Sequence, residues 1–387
     1  MKQSLQTILE TYNAASPLAE ASTIPGPWYT DPRVAELERQ AVFGRTWQAV
    51  GRLDQVAGPG RYFTAEVAGE PVLVARGTDG VLRAFYNVCR HHATAVAWKA
   101  AGESANFRCP YHGWTYGLDG ALKGMTEFEG VCNFDPARNG LVPIRVETWE
   151  QFVFVNLDPT AEPLADSLGG LVARVKPLRL ESLSFVERRV YTLKCNWKVY
   201  VDNYLDGGYH VPHMHKGLNS VLEYTHYTIE NDGRCSIQSS PVKISEDSDA
   251  SARATRGGDR AYYFWQYPNF MLNWYEGYLD TNFVLPGSPG GASGETGLAE
   301  RDGVDGCTVI FDFYFGDTSE ARREYIQQSI GVSDRVQQED TAICESVQRG
   351  LKSRAYGAGR LSVRREAGEH LFHRLLAADL RQALPPA

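Results

Sequence analysis

Two short segments that each hold one Cys and one His constrain this chain more than any other feature. Cys89-Arg90-His91 is followed, after seventeen residues, by Cys109-Pro110-Tyr111-His112. A shared metal site requires a fold that brings both segments together on adjoining loops. Runs of strand length surround them, namely RYFTAEV, PVLVAR, VLRAFYNV and QFVFVNL, with hairpin-turn dipeptides at Asp79-Gly80 and Asp119-Gly120. The sequence therefore predicts a small antiparallel β domain over residues 43–157.

The interleaved order of these Cys and His residues indicates which metal they bind. A zinc finger groups its two Cys on one knuckle and its two His on a helix, so its order differs. A Rieske [2Fe–2S] centre binds one iron through two Cys and the other through two His, and one Cys and one His from each loop can supply this set. His92 is interpreted as a polar neighbour, and the other five Cys as ordinary buried thiols. The predicted cluster ligands are Cys89, His91, Cys109 and His112.

The length of the chain requires more than this domain. Its 387 residues, 43% of them apolar, exceed the size of about 250–300 residues at which a single core stops growing. Residues 308–315 alternate as a half-buried strand does, and residues 319–351 carry an apolar stripe at helical spacing, which we expect to be interrupted near Gly331. The predicted fold class is α+β. A larger domain of residues 1–42 and 158–387, with an antiparallel sheet covered by helices, accompanies the small antiparallel β domain.

Two segments are rich in turn residues and are predicted to be loops. They are residues 245–260 and residues 286–306, and the second contains seven Gly and two Pro. A loop of that length inside a compact domain is usually functional or disordered. We therefore expect residues 286–306 to be disordered or to form a mobile lid.

A second group of metal-binding residue types lies in the segment WKVYVDNYLDGGYHVPHMHKG. Asp202, Asp206, His210, His213 and His215 fall within fourteen positions. Two His and one carboxylate that leave coordination positions open form the facial triad that binds non-heme Fe(II) and activates dioxygen. His210 and His215 are the preferred pair, and His213 is a competing choice.

The third ligand of such a triad must come from elsewhere in the fold. Asp340 is the candidate, because it lies on the predicted helix of residues 319–351, whose apolar stripe faces the core and can aim a carboxylate inward. Most Asp and Glu side chains on helices are solvated, so the assignment of Asp340 needs support beyond composition.

A dense aromatic segment suggests the kind of substrate. Residues 261–278 hold more than a fifth of the chain's aromatic residues. Quaternary ammonium ions are recognised by aromatic cages, because ring faces attract a cation that cannot donate hydrogen bonds. Strand alternation sends about half of such rings into the core, so core packing is the better expectation for any single ring. The candidate wall residues are Tyr263, Trp265, Phe270, Trp274 and Tyr275.

Charge and composition exclude several other classes of protein. A net charge of −8, a pI near 5.7 and the lack of a basic block argue against a nucleic-acid binder. The N-terminal segment lacks the apolar region of a signal peptide, and no stretch approaches the roughly 20 apolar residues of a membrane helix. Seven Cys in a long chain do not resemble a disulfide framework. We therefore expect a cytoplasmic protein with no nucleic-acid or membrane partner.

With these residues in place, the chain resembles the oxygenase component, or α subunit, of the Rieske non-heme iron oxygenases over nearly its whole length. The segment CRH…CPYHGW corresponds to the family's C-x-H…C-x2-H cluster motif. The segment NWKVYVDNYLDGGYHVPHMH corresponds to its N-W-K…(D/E)-N-Y…Y-H-x4-H iron motif. Within the family, DNYLDGGYHVP, YPNFM and RVQQEDTAICESVQRGL are most similar to choline monooxygenase-like members.

The resemblance implies a role for each matching residue. The four residues of the first group would hold the cluster, and residues 1–42 and 158–387 would form the catalytic domain. Mononuclear iron would be held by His210, His215 and Asp340, with Glu339 as the fallback for Asp340. The resemblance also implies a homotrimer, in which the cluster of one subunit lies close to the iron of its neighbour.

A bridging acid joins the two metals in this family, and here the chain departs from the common pattern. Many ring-hydroxylating members carry that acid three residues before the first iron-binding His, where this chain has Gly207. Asp206 is the predicted bridge, and Asp202 is also nearby. The bridge is expected to accept a hydrogen bond from an imidazole that binds the cluster.

The resemblance also implies a reaction and its partners. A separate flavin and iron–sulfur reductase would pass electrons from NAD(P)H to the cluster, since the chain has no G-x-G-x-x-G fingerprint that opens a helix after a strand. Dioxygen would be the co-substrate, with one oxygen inserted into a C–H bond and the other released as water. The leading expectation is a monooxygenase that hydroxylates or N-demethylates a quaternary ammonium compound such as choline.

Two alternatives remain open from the sequence. One is an aromatic ring-hydroxylating dioxygenase, whose pocket would be apolar and without a cation-facing cage. The other is a Rieske electron carrier with no catalysis of its own, in which all the iron belongs to the cluster.

Overall fold

The computed structural model describes residues 3–287 and 304–384. Its described residues form two compact units, one of Phe43–Ser167 and one of residues 3–42, 168–287 and 304–384. Residues 288–303, the greater part of the second predicted loop, lie outside the described residues. Within the described ranges, no helix is long and apolar enough to cross a membrane.

The Phe43–Ser167 unit is built from antiparallel strands. The described strands are β1 (Gln48–Arg52), β2 (Arg61–Val67), β3 (Glu70–Arg76), β4 (Leu82–Tyr86), β5 (Ala101–Glu103), β6 (Phe107–Arg108), β7 (Thr115–Tyr116), β8 (Leu122–Gly124), β9 (Pro143–Trp149) and β10 (Phe152–Asn156). One sheet has the order β1-β10-β9-β4-β3-β2-β5, and a smaller one has the order β6-β7-β8. The apolar side chains of the strands form two core clusters, and one of these includes both Cys of the predicted cluster.

The second unit contains one large antiparallel sheet. Its described strands are β11 (Ser184–Leu193), β12 (Thr228–Asp232), β13 (Cys235–Pro241), β14 (Arg260–Gln266), β15 (Phe270–Tyr275), β16 (Tyr278–Pro286) and β17 (Cys307–Phe315). Their order is β11-β17-β16-β15-β14-β13-β12. Each hydrogen-bonded pair is antiparallel.

Helices pack against this sheet and around one another. The described helices of the chain are α1 (Leu5–Glu10), α2 (Gly26–Thr30), α3 (Pro32–Glu38), α4 (Leu164–Leu168), α5 (Leu171–Val175), α6 (Trp197–Leu205), α7 (Val211–Met214), α8 (Lys216–Asn219), α9 (Ala250–Thr255), α10 (Arg323–Leu351) and α11 (Ala367–Gln382). Helix α6 contacts α10, α11 and strand β16. The predicted α+β class, with an antiparallel sheet covered by helices, is confirmed.

Two details of the predicted secondary structure are wrong. Helix α10 runs through Gly331 without interruption, because this glycine lies on the exposed face and the buried residues on either side hold the helix. A glycine in a helix costs only about 1 kcal/mol relative to alanine. The segment of residues 245–260, predicted as a loop, contains α9, whose N-terminus is capped by the Asp249 side chain.

A buried ion pair ties α6 to α3. Lys198 and Glu38 are 0% and 1% exposed, and their charged groups lie 2.6 Å apart. The second carboxylate oxygen of Glu38 accepts a hydrogen bond from the indole of Trp197 at 2.8 Å. Burial lowers the pKa of Lys198, and the charge of Glu38 opposes this effect. The pair fixes the helix that leads into the segment of His210 and His215.

Glu38→Gln is expected to lower the free energy of unfolding by about 3–5 kcal/mol, because it leaves the Lys198 ammonium buried without a counter-charge. The measurement is urea denaturation of the purified protein, followed by tryptophan fluorescence. Glu36→Gln, on the exposed side of the same helix, where Glu36 pairs with Arg39, is the control and should cost less than about 1 kcal/mol. Equal effects of the two variants would contradict the prediction.

Candidate metal centres and substrate cavity

The first Cys and His segments form two matching loops in the Phe43–Ser167 unit. In each loop the carbonyl oxygen of the Cys accepts a hydrogen bond from the backbone N–H four residues later. Ala93 donates to Cys89 in the first loop and Gly113 donates to Cys109 in the second, each at 3.0 Å. Ala93 and Gly113 have positive φ angles of 63° and 72°, a conformation that closes a loop tightly. Both Cys are 2% exposed. The two loops therefore present their Cys and His residues from the same kind of turn.

The two predicted His ligands of the cluster lie side by side. The ring centroids of His91 and His112 are 4.7 Å apart, and His91 stacks on Trp114. Burial, together with His92 and His112, lowers the pKa of His91. Its buried Nδ1 has no hydrogen-bond partner in the described parts of the chain. A neutral imidazole with a free nitrogen, on loops that also carry two buried thiols, fits a [2Fe–2S] cluster held by two Cys and two His.

His92 lies beside the predicted His ligands, as expected of a polar neighbour. The ring of His92 lies 4.2 Å from that of His91, and ring nitrogens of His91, His92 and His112 come within 4.8 Å of one another. Cys132, expected to be buried, is exposed. Cys195, Cys235, Cys307 and Cys344 are buried as expected. The Sγ atoms of Cys195 and Cys307 lie 3.7 Å apart.

The short helix α7 sets the distance between His210 and His215. His210 and His215 flank α7, and the backbone N–H of His215 donates to Val211 within it. This turn brings the two rings to 4.8 Å between centroids. His213, the competing choice of ligand, is exposed on α7. The local structure therefore places His210 and His215 next to each other and leaves His213 exposed to solvent.

The two imidazoles converge on the carboxylate of Asp340 in α10. Nε2 of His215 lies 3.1 Å from Oδ1 of Asp340, and Nε2 of His210 lies 3.7 Å from the same oxygen. Asn203 donates to this oxygen from Nδ2 at 2.9 Å. His215 and Asp340 are buried, at 2% and 8% exposure. Two imidazole nitrogens and one carboxylate that face a common point fit a mononuclear non-heme iron with open coordination positions.

A second carboxylate orients each imidazole from its far side. Oδ2 of Asp206 lies 2.6 Å from Nδ1 of His210, and Oε2 of Glu339 lies 2.6 Å from Nδ1 of His215. Such partners hold the proton on Nδ1 and leave Nε2 for a metal. Burial alone lowers the pKa of His215, but the hydrogen bonds and charges of Asp340 and Glu339 outweigh burial and raise it. Glu339 thus contacts the far side of His215 and does not take the place of Asp340.

Gly207 explains why the acid three residues before His210 is missing. Gly207 has a φ of +67°, and a Cβ at this position would lie 2.1 Å from the carbonyl oxygen of Arg365. A side chain is therefore excluded on steric grounds. The carboxylate of Asp206, one residue earlier, accepts hydrogen bonds from the backbone N–H groups of Tyr209 and His210 at 3.0 Å each. These bonds hold its carboxylate against the His210 ring.

Asp202, the other acid near the motif, belongs to a separate buried cluster. Its carboxylate accepts a hydrogen bond from the Tyr29 hydroxyl at 2.5 Å and lies 2.9 Å from Nε2 of His373. Glu369 lies 3.8 Å from the same nitrogen, and burial together with the charge of Asp202 raises the pKa of Glu369 well above its usual range. The hydrogen bonds of Asp202 therefore go to Tyr29 and His373 and not to His210.

A cavity of about 120 Å³ adjoins the His210, His215 and Asp340 group. Its lining includes these three residues and five tyrosines from α6, the sheet and the neighbouring turns. The tyrosines are Tyr200, Tyr204, Tyr227, Tyr263 and Tyr275. The rings of Tyr227 and Tyr263 are nearly parallel, with centroids 6.3 Å apart, and the hydroxyls of Tyr263 and Tyr275 lie 2.5 Å apart. The cavity thus has aromatic walls beside the candidate metal site.

Tyr263 and Tyr275 line the cavity as predicted wall residues, whereas Phe270 and Trp274 do not. Strand β15 presents Asn273 and Tyr275 to the cavity, so Phe270 and Trp274 alternate onto the opposite face of the sheet. Phe270 packs there against Phe283 on β16, with centroids 5.3 Å apart. The prediction for Phe270 and Trp274 is wrong because aromatic density does not reveal which strand face meets the cavity.

Trp265 is the third wall residue that the structure places elsewhere. It shares a face of β14 with Tyr263 but lies two residues further along the strand. There it is fully buried against Phe372 of α11, with ring centroids 5.6 Å apart. The prediction for Trp265 is wrong because α11 covers this end of the sheet.

Two charged residues of the cavity are absent from the residues predicted to line it. Arg256 and Asp280 line it and are only 3% and 4% exposed. Arg256 follows α9 in the segment that was expected to be a loop. Asp280, Thr281 and Asn282 interrupt the apolar run of β16, and Asp280 and Asn282 share one face of the strand. These polar residues were the available signal for polar groups on a buried face.

Two family models match the chain. The Rieske [2Fe-2S] domain matches residues 46–135, and the ring hydroxylating alpha subunit catalytic domain matches residues 180–382. The second match alone covers more than half of the chain. The chain belongs to the Rieske non-heme iron oxygenases. The resemblance seen in its motifs is thereby confirmed, and the family's two domains imply a Rieske cluster and a non-heme iron.

The relatives of this oxygenase include choline and carnitine monooxygenases. It is 40% identical to choline monooxygenase from Arabidopsis thaliana, a match that covers 97% of this chain and 87% of the relative. It is 35% identical to the carnitine monooxygenase oxygenase subunit from Escherichia coli K12, over 92% of this chain and 94% of the relative. This oxygenase is accordingly a Rieske non-heme iron monooxygenase.

A solved structure that is 30% identical to this chain gives the same family. A quaternary ammonium Rieske monooxygenase, studied for carnitine oxidation, matches with a TM-score of 0.82 at 30% identity, over 96% of this oxygenase and 98% of the other chain. Naphthalene 1,2-dioxygenase from a Rhodococcus species matches with a TM-score of 0.74 at 18% identity, over 94% and 95% of the two chains. The second match shows a shared fold alone.

Proposed function

We propose that this oxygenase uses dioxygen and externally supplied electrons to hydroxylate or N-demethylate a quaternary ammonium compound. The observation that carries the proposal is the tyrosine-lined cavity beside His210, His215 and Asp340. The choline and carnitine monooxygenases among its relatives support the same substrate class. A ring-hydroxylating dioxygenase is supported less, since its likeness to this chain is one of fold.

The walls of the cavity suit a cation without hydrogen-bond donors. Tyr227 and Tyr263 offer ring faces, and the hydroxyls of Tyr263 and Tyr275 are engaged with each other. Tyr204 uses its hydroxyl to donate to Asn273 Oδ1 at 2.8 Å. Because these hydroxyls are satisfied within the protein, these tyrosines offer their ring faces to a trimethylammonium group.

The chain's own residues hold and orient the two metal groups. We assign the cluster to Cys89, His91, Cys109 and His112, and the iron to His210, His215 and Asp340. Asp206 and Glu339 keep the proton on Nδ1 of each iron-binding imidazole. When bound, the mononuclear iron supplies dioxygen activation beside the substrate, and the cluster supplies electrons one at a time. The buried position of the site limits the access of water to the substrate.

The proposal extends to the assembly. We assign residues 43–157 to the cluster domain and residues 1–42 and 158–387 to the catalytic domain. Electrons come from NAD(P)H through a separate flavin and iron–sulfur reductase. The enzyme acts as a homotrimer in the cytoplasm, where Asp206 links the iron of one subunit to a cluster-binding imidazole of its neighbour.

Oxygen consumption tests the proposed substrate class. Iron-loaded enzyme with a Rieske-type reductase and NADH is expected to consume dioxygen when choline, glycine betaine or L-carnitine is added, and to form an oxidised or demethylated product detectable by mass spectrometry. The ring faces of the cavity should give at least ten-fold faster uptake with these compounds than with naphthalene or benzoate. Turnover of either arene without turnover of any trimethylammonium compound would instead establish the ring-hydroxylating reaction.

A further inference from the structure

Arg256 is a buried cation on the cavity wall. Across the described residues, no carboxylate forms an ion pair with it. Its guanidinium donates to the hydroxyls of Ser329 and Ser333 at 2.8 and 2.9 Å, and it lies over the rings of Tyr275 and Tyr278 at 5.2 and 4.6 Å. Neutral hydroxyls and ring faces do not neutralise its charge. The carboxylate of Asp280 acts on this charge from a distance, with Ser333 between the two groups. A buried charge without a direct ionic partner is costly, so an anion that enters the cavity is favoured beside Arg256.

Asp280, the buried acid of the cavity, is engaged by other donors. The hydroxyl of Tyr278 and the amide of Asn273 each donate to its carboxylate at 2.5 Å. Ser333 stands between the two charges, since it accepts from Arg256 and lies 3.4 Å from Asp280. Burial raises the pKa of Asp280, and its hydrogen bonds and the charge of Arg256 oppose this effect. Asp280 therefore forms no direct ion pair with the guanidinium, and a ligand carboxylate can supply one.

We propose that Arg256 binds a substrate carboxylate, and that this enzyme acts on trimethylammonium compounds that also carry a carboxylate, the betaines. The inference rests on the proposed function and adds the charge at the other end of the substrate. Arginine pairs with a carboxylate through two parallel hydrogen bonds, and the tyrosine rings hold the ammonium group. Choline has the same ammonium group but ends in a hydroxyl, so it leaves Arg256 without a direct ionic partner.

Helix α10 relates this anchor to the candidate iron site. Ser333, which contacts Arg256, and Asp340 both lie on its buried face. Seven residues separate them, which corresponds to about 10 Å along the helix axis. A substrate whose carboxylate is held at Arg256 would present its N-methyl groups toward Asp340, at the other end of this stretch of α10. Betaines carry a carboxylate at one end and a trimethylammonium group at the other, as this separation of sites requires.

Binding and turnover by the Arg256→Gln variant test the proposal. The probes are glycine betaine, γ-butyrobetaine, L-carnitine and choline, titrated into the anaerobic iron-loaded enzyme by isothermal calorimetry and then assayed for oxygen uptake. At least one betaine is expected to bind the unmodified enzyme ten-fold or more tightly than choline. In Arg256→Gln the ratio of betaine to choline affinity should fall by roughly 30-fold, the effect of losing hydrogen bonds to a charged partner.

Two further variants separate binding from folding. Arg335→Gln is the matched control, because Arg335 pairs with Asp249 at the other end of α9 and does not line the cavity. Its affinity ratio should match that of the unmodified enzyme. Arg256→Lys keeps the positive charge but loses the planar fork, and its ratio should fall between the other two. If Arg256→Gln fails to fold, shown by circular dichroism, the preference of the unmodified enzyme and the Arg256→Lys ratio decide the matter.

Each result has a distinct meaning. A selective loss of betaine binding in Arg256→Gln supports the anchor. A preference of the unmodified enzyme for choline, or an equal loss of all four ligands in the variant, overturns the anchor and leaves the proposed function standing. Failure of the unmodified enzyme to bind or oxidise any of the four compounds overturns both.

Discussion

Replacing His210 by Ala is expected to abolish substrate-dependent oxygen consumption, with a loss of at least ~10³-fold, and to remove one iron from each subunit. The reason is that Nε2 of His210 faces Asp340 and His215 across the candidate site, and two protein ligands hold a non-heme iron weakly. Metal analysis should fall from about three irons per subunit to about two, since a Rieske cluster holds two. The visible absorbance of the cluster should remain unchanged.

His213→Ala is the matched control for this experiment. His213 lies three residues from His210 in the same turn, but its side chain is exposed. It should keep about three irons per subunit and near-normal oxygen uptake, as a cluster plus one mononuclear iron requires. Loss of iron from His213→Ala, or its retention in His210→Ala, would show that the ligand set has been misassigned. A pure electron carrier would hold only the cluster iron in every variant.

Asp206→Asn is expected to lower turnover by about 100-fold while both metal groups stay bound, in line with the effect of removing an orienting carboxylate. The variant keeps the shape of the side chain. It removes the negative charge of the carboxylate whose Oδ2 accepts a hydrogen bond from Nδ1 of His210 at 2.6 Å. The measurement is a single turnover of the reduced enzyme, in which reoxidation of the cluster is followed by its absorbance. The rate of that reoxidation should fall together with steady-state turnover.

Asp202→Asn distinguishes a bridging role from a general effect of lost charge on α6. Asp202 lies one helical turn earlier, and its hydrogen bonds go to Tyr29 and His373. The rate of cluster reoxidation should change far less in Asp202→Asn than in Asp206→Asn. If Asp206→Asn loses iron, its carboxylate acts by holding His210 in place. If the two variants slow reoxidation equally, Asp206 is not the bridge.

The candidate metal ligands could be predicted because their spacing is local. His210 and His215 flank a single short helix, and each cluster loop holds its Cys and His within four residues, so the sequence motif and the geometry coincide. The roles of Glu339 and Asp340 were harder to separate, because they are adjacent on α10. Only the packing of α10 against the His215 ring decides which carboxylate meets Nε2 and which meets Nδ1.

The residues that line the cavity were harder to predict from the sequence. Tyr275 lines it and Trp274 does not, and alternation along β15 predicts that they differ without predicting which one faces inward. Arg256 belongs to no motif and sits in a segment whose Ser, Asp and Gly content is typical of a loop. Its importance arises from contacts with Ser329 and Ser333, which lie more than 70 positions away on α10.

The uninterrupted course of α10 also limits how this enzyme can diverge. Ser333 and Asp340 are carried by one rigid rod, so inserting or deleting a residue between them would rotate one relative to the other by about 100° and move it about 1.5 Å. Substitutions at exposed positions of this stretch, such as Arg335 and Gln338, leave that geometry intact. Natural variation between positions 333 and 340 should therefore consist of exchanges on the exposed face at constant length. Adaptation to a longer or shorter substrate is then expected at the strands and turns that face the helix.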